Sequence, residues 1–153
     1  MPQDVLARLW NSDEGAAGEM LEELRELSLV FVDADGCVHL HDLQRDCLRV
    51  DAGEEALPAM NGALIDAYGK QCGDAGVPGL SRAWWALPGG SYMLDHLCFH
   101  LAEAGRVAEL RSLLCSFRWI RRRIEASGYA FPLLQRDFPQ AGRAAPQNKQ
   151  WMQ

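Results

Sequence analysis

Two stretches of the chain concentrate side chains able to move protons, hold metals or bind anions. The first is His39-Leu40-His41-Asp42-Leu43-Gln44-Arg45-Asp46. Strand alternation puts His39 and His41 on the same side of an extended segment. Asp42 then stands where a helix should open. An imidazole beside a helix N-terminus suits an anion, because ring N–H and unpaired backbone amides both donate toward it. The second stretch is Asp95-His96-Leu97-Cys98-Phe99-His100. His96 and His100 are four residues apart, a spacing zinc sites use on one helix face. No Glu follows His96 in the His-Glu-x-x-His manner, and Cys98 falls on another face. The pair therefore reads as helix-packing histidines, and no metal is expected. Asp95 beside His96 could be drawn as an acid–base dyad, but no nucleophile or oxyanion donor accompanies it. We expect no catalytic residue in this chain. His39 reads as a plain strand residue, and Trp84-Trp85 as a packing anchor. Arg118, Arg121, Arg122 and Arg123 read as a solvated basic face.

Composition narrows the classes. At 153 residues with 48% apolar content, the chain can build a real core. No window approaches the roughly 18 uninterrupted apolar residues of a membrane span. Met1-Pro2-Gln3-Asp4-Val5 lacks the basic and apolar regions of a secretory signal, so a cytoplasmic location is expected. The five cysteines are scattered and form no CxxC pair, which predicts free thiols, most of them small core residues. Charge is unevenly spread. Residues 1–55 hold 14 acidic and 4 basic residues, whereas 117–153 hold 2 acidic and 7 basic. An acidic front disfavours contact with a phosphate backbone.

The elements that must position these residues follow from periodicity. Val5 to Trp10 predicts a short helix and Ala16 to Leu27 a second, with Met20, Leu21, Leu24 and Leu27 on its apolar side. The opposite face carries Glu19, Glu22, Glu23 and Glu26. Leu29-Val30-Phe31-Val32 and Cys37-Val38-His39-Leu40 flank an Asp-Ala-Asp-Gly turn and predict a β-hairpin. Asp42 is the expected N-cap of a helix over Leu43 to Val50. Two helices and a hairpin form the back part of a winged helix, whose usual first helix would lie upstream of Met1. Helices are then expected over 57–68, 92–104, 107–114 and 117–126. The helices over 92–104 and 107–114 have the shape of an antiparallel helical-hairpin repeat turned at Gly105. Pro132, Pro139 and Pro146 predict an irregular tail. The fold class is mainly α, a partial winged helix followed by an α-helical bundle. The expected domains are 1–50, a linker at 51–56, a helical domain at 57–128 and a tail at 129–153.

Leu40-His41-Asp42 resembles the Met-His-Asp motif that ends the winged-helix domain of STAND-type signalling ATPases, the apoptotic protease-activating factor-like group. Trp84-Trp85-Ala86-Leu87-Pro88, His100-Leu101-Ala102-Glu103-Ala104-Gly105-Arg106 and Leu110-Arg111-Ser112-Leu113-Leu114 are similar to the helical domain that follows. The resemblance covers roughly residues 1–128. It implies that His41 contacts the β-phosphate of ADP held by a separate upstream domain, with Leu40 and Asp42 supporting the motif. It implies a non-catalytic module that couples nucleotide state to a repeat sensor, with those protein domains as partners. The chain departs from the intact family in having no Gly-x-x-x-x-Gly-Lys-Ser/Thr loop. ADP or ATP is therefore expected on the missing domain and no cofactor on this stretch, whose ends would reflect truncation. Two other readings stand beside this one: a DNA-binding winged-helix regulator and a stand-alone helical interaction scaffold. The acidic face of the second helix, the candidate recognition helix, weighs against nucleic acid.

Overall fold

A computed structural model describes residues 1–128 and Pro139. The expected tail at 129–153 otherwise lies outside the described residues. The chain is mostly helical with one small hairpin, as the periodicity predicts. Its order is α1 (Gln3–Leu9), α2 (Glu14–Glu26), β1 (Val30–Val32), β2 (Val38–Leu40), α3 (Asp42–Ala52), α4 (Ala56–Gly69), a 3-10 turn (Trp84–Ala86), α5 (Tyr92–Glu103), α6 (Val107–Leu114) and α7 (Phe117–Ala126). Contacts divide it into two units, Met1–Ala67 and Tyr68–Gln153.

In the first unit, Asp13 caps α2 by accepting from the Ala16 amide at 2.8 Å. Ser28 takes a left-handed conformation and turns the chain from α2 into β1. The antiparallel register pairs Val30 with Leu40, Phe31 with His39 and Val32 with Val38. The chain start runs beside β2: the Met1 ammonium donates to the Val38 carbonyl, and the Val38 amide donates to the Met1 carbonyl, both at 2.8 Å. Val5, Ala7, Ala17, Leu21 and Val30 form the buried centre.

Several apolar side chains expected inside are outside. Met20 is 45% exposed and Leu27 68%. In α3 no residue is buried, and Leu43 and Val50 are 80% and 84% exposed. Periodicity shows that a helix has an apolar side, but not that anything covers it. The thiols diverge likewise. All five are free, but only Cys72 and Cys98 are buried, and Cys47 and Cys115 are exposed.

The second unit is built on two indoles. Trp84 and Trp119 are fully buried, with Leu97, Leu101, Leu110 and Leu113 among the buried side chains. Each indole removes on the order of 200 Å² from water, roughly 5 kcal/mol of transfer free energy before entropy is charged. Ser91 caps α5 through the Leu94 amide at 3.3 Å. Gly105, at φ +70°, ends the α5 side of the turn as expected, and the Arg106 amide returns to the Leu101 carbonyl at 2.9 Å. Glu109 on α6 receives the Trp84 Nε1–H at 3.1 Å and the Ser81 hydroxyl at 2.9 Å, tying the 3-10 turn to α6.

Gly79 lies in the turn Val77-Pro78-Gly79-Leu80 at φ +80°, and a Cβ there would collide with Ser112 Oγ. Gly79→Ala is expected to destabilise this unit by about 2 kcal/mol, combining left-handed strain with overpacking. A urea midpoint measures it. Adding Ser112→Ala should relieve the hydroxyl clash but leave the backbone strain and a tight 3.1 Å contact with the residue-112 Cβ, so recovery should be partial.

Candidate functional site

The end of the wing is assembled around one aromatic ring. Asp33 sets the turn: its Oδ1 accepts from the Asp35 amide at 3.0 Å and the Cys37 amide at 2.8 Å. Gly36, at φ +73°, closes the turn with its amide on the Asp33 carbonyl at 3.1 Å. The other carboxylate oxygen meets His39 Nε2 at 2.7 Å. The Cys37 amide above all, and then His39, hold the Asp33 carboxyl below its ordinary value. The pleat turns Phe31 and His39 to the same side. Their rings stack with centroids 5.1 Å apart and planes 17° from parallel. His41 meets the same Phe31 ring at 5.3 Å and 38°. The expected alternation of His39 and His41 is thus realised through a shared neighbour.

His41, not Asp42, occupies the N-cap of α3. His41 is extended at φ −62°, ψ 145°, its side chain makes no capping hydrogen bond, and its carbonyl accepts from the Arg45 amide at 2.9 Å. Asp42 is the first helical residue, and its exposed carboxylate pairs with Arg45 at 3.1 Å. The expectation that Asp42 caps this helix is corrected: the strand ends one residue before the helix begins, so the extended residue is the histidine. Leu40, His41 and Asp42 therefore sit together at the β2–α3 junction, all exposed. Their arrangement leaves the His41 ring at the positive end of an 11-residue helix, available to donate to an anion.

The second stretch is occupied by packing. His96 stacks on Tyr92 at 4.4 Å, and His100 Nε2 lies 3.1 Å from Tyr92 Oη. His100 is 4% exposed; burial above all, with the charge of His96 adding to it, lowers its pKa to about 4. It is a neutral core residue at physiological pH. Asp95 is an ion-pair partner of Arg123 at 2.7 Å. Arg123 itself is 1% exposed and lies against the Trp119 ring at 5.9 Å, so the solvated basic face loses its fourth member to the core. Arg122 turns in as well, donating to the Leu87 carbonyl at 2.8 Å, while Arg118 and Arg121 stay outside. Burial pushes the Cys72 thiol up, away from nucleophilic character. Among the described residues no cluster of three or more His, Cys, Asp or Glu side chains is placed to hold a metal ion.

The Asp33–His39 pair, the shared Phe31 ring and the Arg123–Asp95 pair were absent from the sequence reading. The first had a signal, since an Asp opening a hairpin turn faces back along the returning strand. The last had none, because 28 residues separate its members.

With this geometry in view, residues 57–146 match the APAF-1 helical domain family, more than half of the chain. The chain belongs to the APAF-1 helical domain family. The apoptotic protease-activating factor 1 of Rattus norvegicus is 28% identical over 134 residues, and that of Mus musculus 26% over 133. The factor of Danio rerio is 25% identical over 139 residues. Each alignment covers 85% of this chain and 10% of the relative, so the chain spans about a tenth of the length of the curated relatives it matches. Coverage that high cannot be reached from Leu57 onward alone, and the likeness to the factor therefore extends into the region bearing the hairpin. The matched APAF-1 helical region contains α4 to α7, including Trp84, the His100–Tyr92 contact and the Gly105 turn. No described helix is long and apolar enough to cross a membrane.

Proposed function

We propose that this chain is the non-catalytic transmission module of a cytoplasmic STAND-type signalling ATPase. In this reading residues 1–50 are the end of a winged-helix domain, 51–56 a hinge and 57–128 a helical domain. The nucleotide, ADP in the resting state, sits on a separate domain, and His41 donates to its β-phosphate from the wing. Leu40 and Asp42 hold the junction that aims it. Exchange of the nucleotide removes that contact and lets the module move as a block, which is how nucleotide state reaches a repeat sensor. Its partners are those two protein domains.

The observation that carries the reading is the exposed His41 ring at the N-terminus of α3, in a chain whose helical part belongs to the APAF-1 family. The exposed Glu19, Glu22, Glu23 and Glu26 of α2 oppose the duplex-binding alternative, since that face would repel phosphates. The test is His41→Ala in the longer protein that joins this chain to its nucleotide-binding domain. Purified variant should retain several-fold less ADP than wild type and signal without stimulus. Equal ADP occupancy would remove the latch.

A further inference from the structure

The second unit carries a groove that the latch reading does not use. It has a volume of about 460 Å³ and opens at the corner between α6 and α7. Val77, Leu80, Trp85, Cys115, Phe117 and Arg118 are among the residues that line it. The turn bearing Val77 and Leu80 is pressed onto α6 at Ser112, where Gly79 permits the close approach. Two features are unusual for a plain surface dent. Phe117 is 76% exposed at the rim, and Val77 is 40% exposed. Large apolar groups held out beside a concave surface mark contact sites.

The charge of the groove is one-sided. No carboxylate lines it. The Arg118 guanidinium lies over the Trp85 ring at 5.3 Å, and no ion pair to it occurs among the described residues. Residue 116, the N-cap of the ten-residue helix α7, contributes no side-chain cap, so the amides at that end also face outward without an acceptor from Ser116. An occupant must bring an apolar side chain for Trp85 and Phe117 and a negative charge for Arg118 and the helix end. We propose that this groove docks an acidic peptide segment in which a large apolar residue stands next to carboxylates. The apolar side chain enters between Trp85 and Phe117, and a carboxylate pairs with Arg118, which keeps its stacking on the indole.

Cys115 supplies a local reporter, being exposed within the groove, while exposed Cys47 on α3, which does not line the groove, supplies a control. The experiment uses the full chain and a fluorescein-labelled peptide of about ten Asp and Glu residues around a central Leu-Phe pair. Anisotropy should show saturable binding, weakened about tenfold by Arg118→Glu and about fivefold by Phe117→Ser. Both side chains are exposed, so thermal unfolding of the variants should match wild type. Bound peptide should slow alkylation of Cys115 by iodoacetamide at least threefold, read by mass spectrometry, and leave Cys47 unchanged. Absence of saturable binding overturns the proposal. So does binding that survives both substitutions, binding that leaves Cys115 as reactive as before, or equal binding of peptides carrying amides for the acids or Ala for Leu-Phe.

Discussion

Arg123→Ala should lower the stability of the second unit by about 3 kcal/mol, a loss few single surface changes produce. The side chain does three things at once. Its guanidinium pairs with Asp95 at 2.7 Å, its face lies near Trp119, and its stem fills space in a core from which water is excluded. Asp95 is 43% exposed, so the pair is only half desolvated and its attraction is correspondingly screened. We therefore expect Asp95→Ala to cost less, about 2 kcal/mol, chiefly by withdrawing a carboxylate from a buried guanidinium. Arg123→Met keeps the stem and the contact with the indole and should fall between wild type and Arg123→Ala. A double-mutant cycle on urea midpoints separates the ion pair from the packing. An Arg123→Ala midpoint equal to wild type would return Arg123 to the solvated face assumed from sequence.

His100 should make the same unit acid-sensitive. Its folded pKa is about 4 against an ordinary 6.5. The unfolded chain therefore binds a proton in a range where the folded chain does not, and stability rises with pH there. The contribution is fully present above pH 6.5 and is lost as the pH falls from 6.5 toward 4. Integrated over that window it amounts to about 3 kcal/mol, of which about 2 kcal/mol is gone by pH 5. Asp33 acts in a separate window: its depressed carboxyl contributes above its ordinary 3.8 and is lost only below that. Urea midpoints at pH 7.5 and 5.0 measure the slope. His100→Gln should flatten it, whatever it does to stability at neutral pH, because the amide does not titrate. A wild-type midpoint that does not move between the two pH values contradicts this assignment.

Much of the helical array was legible in sequence, because local chemistry alone decides it. The predicted limits of α6 and α7 match the structure, and Gly105 and Gly128 take the left-handed conformations their positions suggest. The hairpin was equally clear from Asp-Gly between β-branched runs. What failed was everything set by distant residues. The apolar spacing of α2 identified an apolar side but could not show that Met20 and Leu27 are exposed. Four arginines in six positions looked like one surface, yet the helical period carries Arg123 around to Asp95 on α5. The site itself was half legible. Alternation put His39 and His41 together, but Phe31 as their common neighbour depends on strand register, which the sequence constrains only through the turn. The N-cap of α3 was misplaced by one residue, since capping preference favours Asp over His while backbone geometry gave the position to His41.

The proposed latch distinguishes between two neighbouring imidazoles that share one ring. His39 is tied to Asp33 at 2.7 Å, whereas His41 stands at the helix end with no side-chain cap to make. The most direct measurement is the dissociation rate of fluorescent ADP from the longer protein bearing this chain, compared for His41→Ala and His39→Ala. Loss of one hydrogen bond to a phosphate, about 1.5–3 kcal/mol, should speed release at least tenfold in His41→Ala and leave His39→Ala near wild type. Release at the wild-type rate in His41→Ala, or equal acceleration in both variants, would contradict the account.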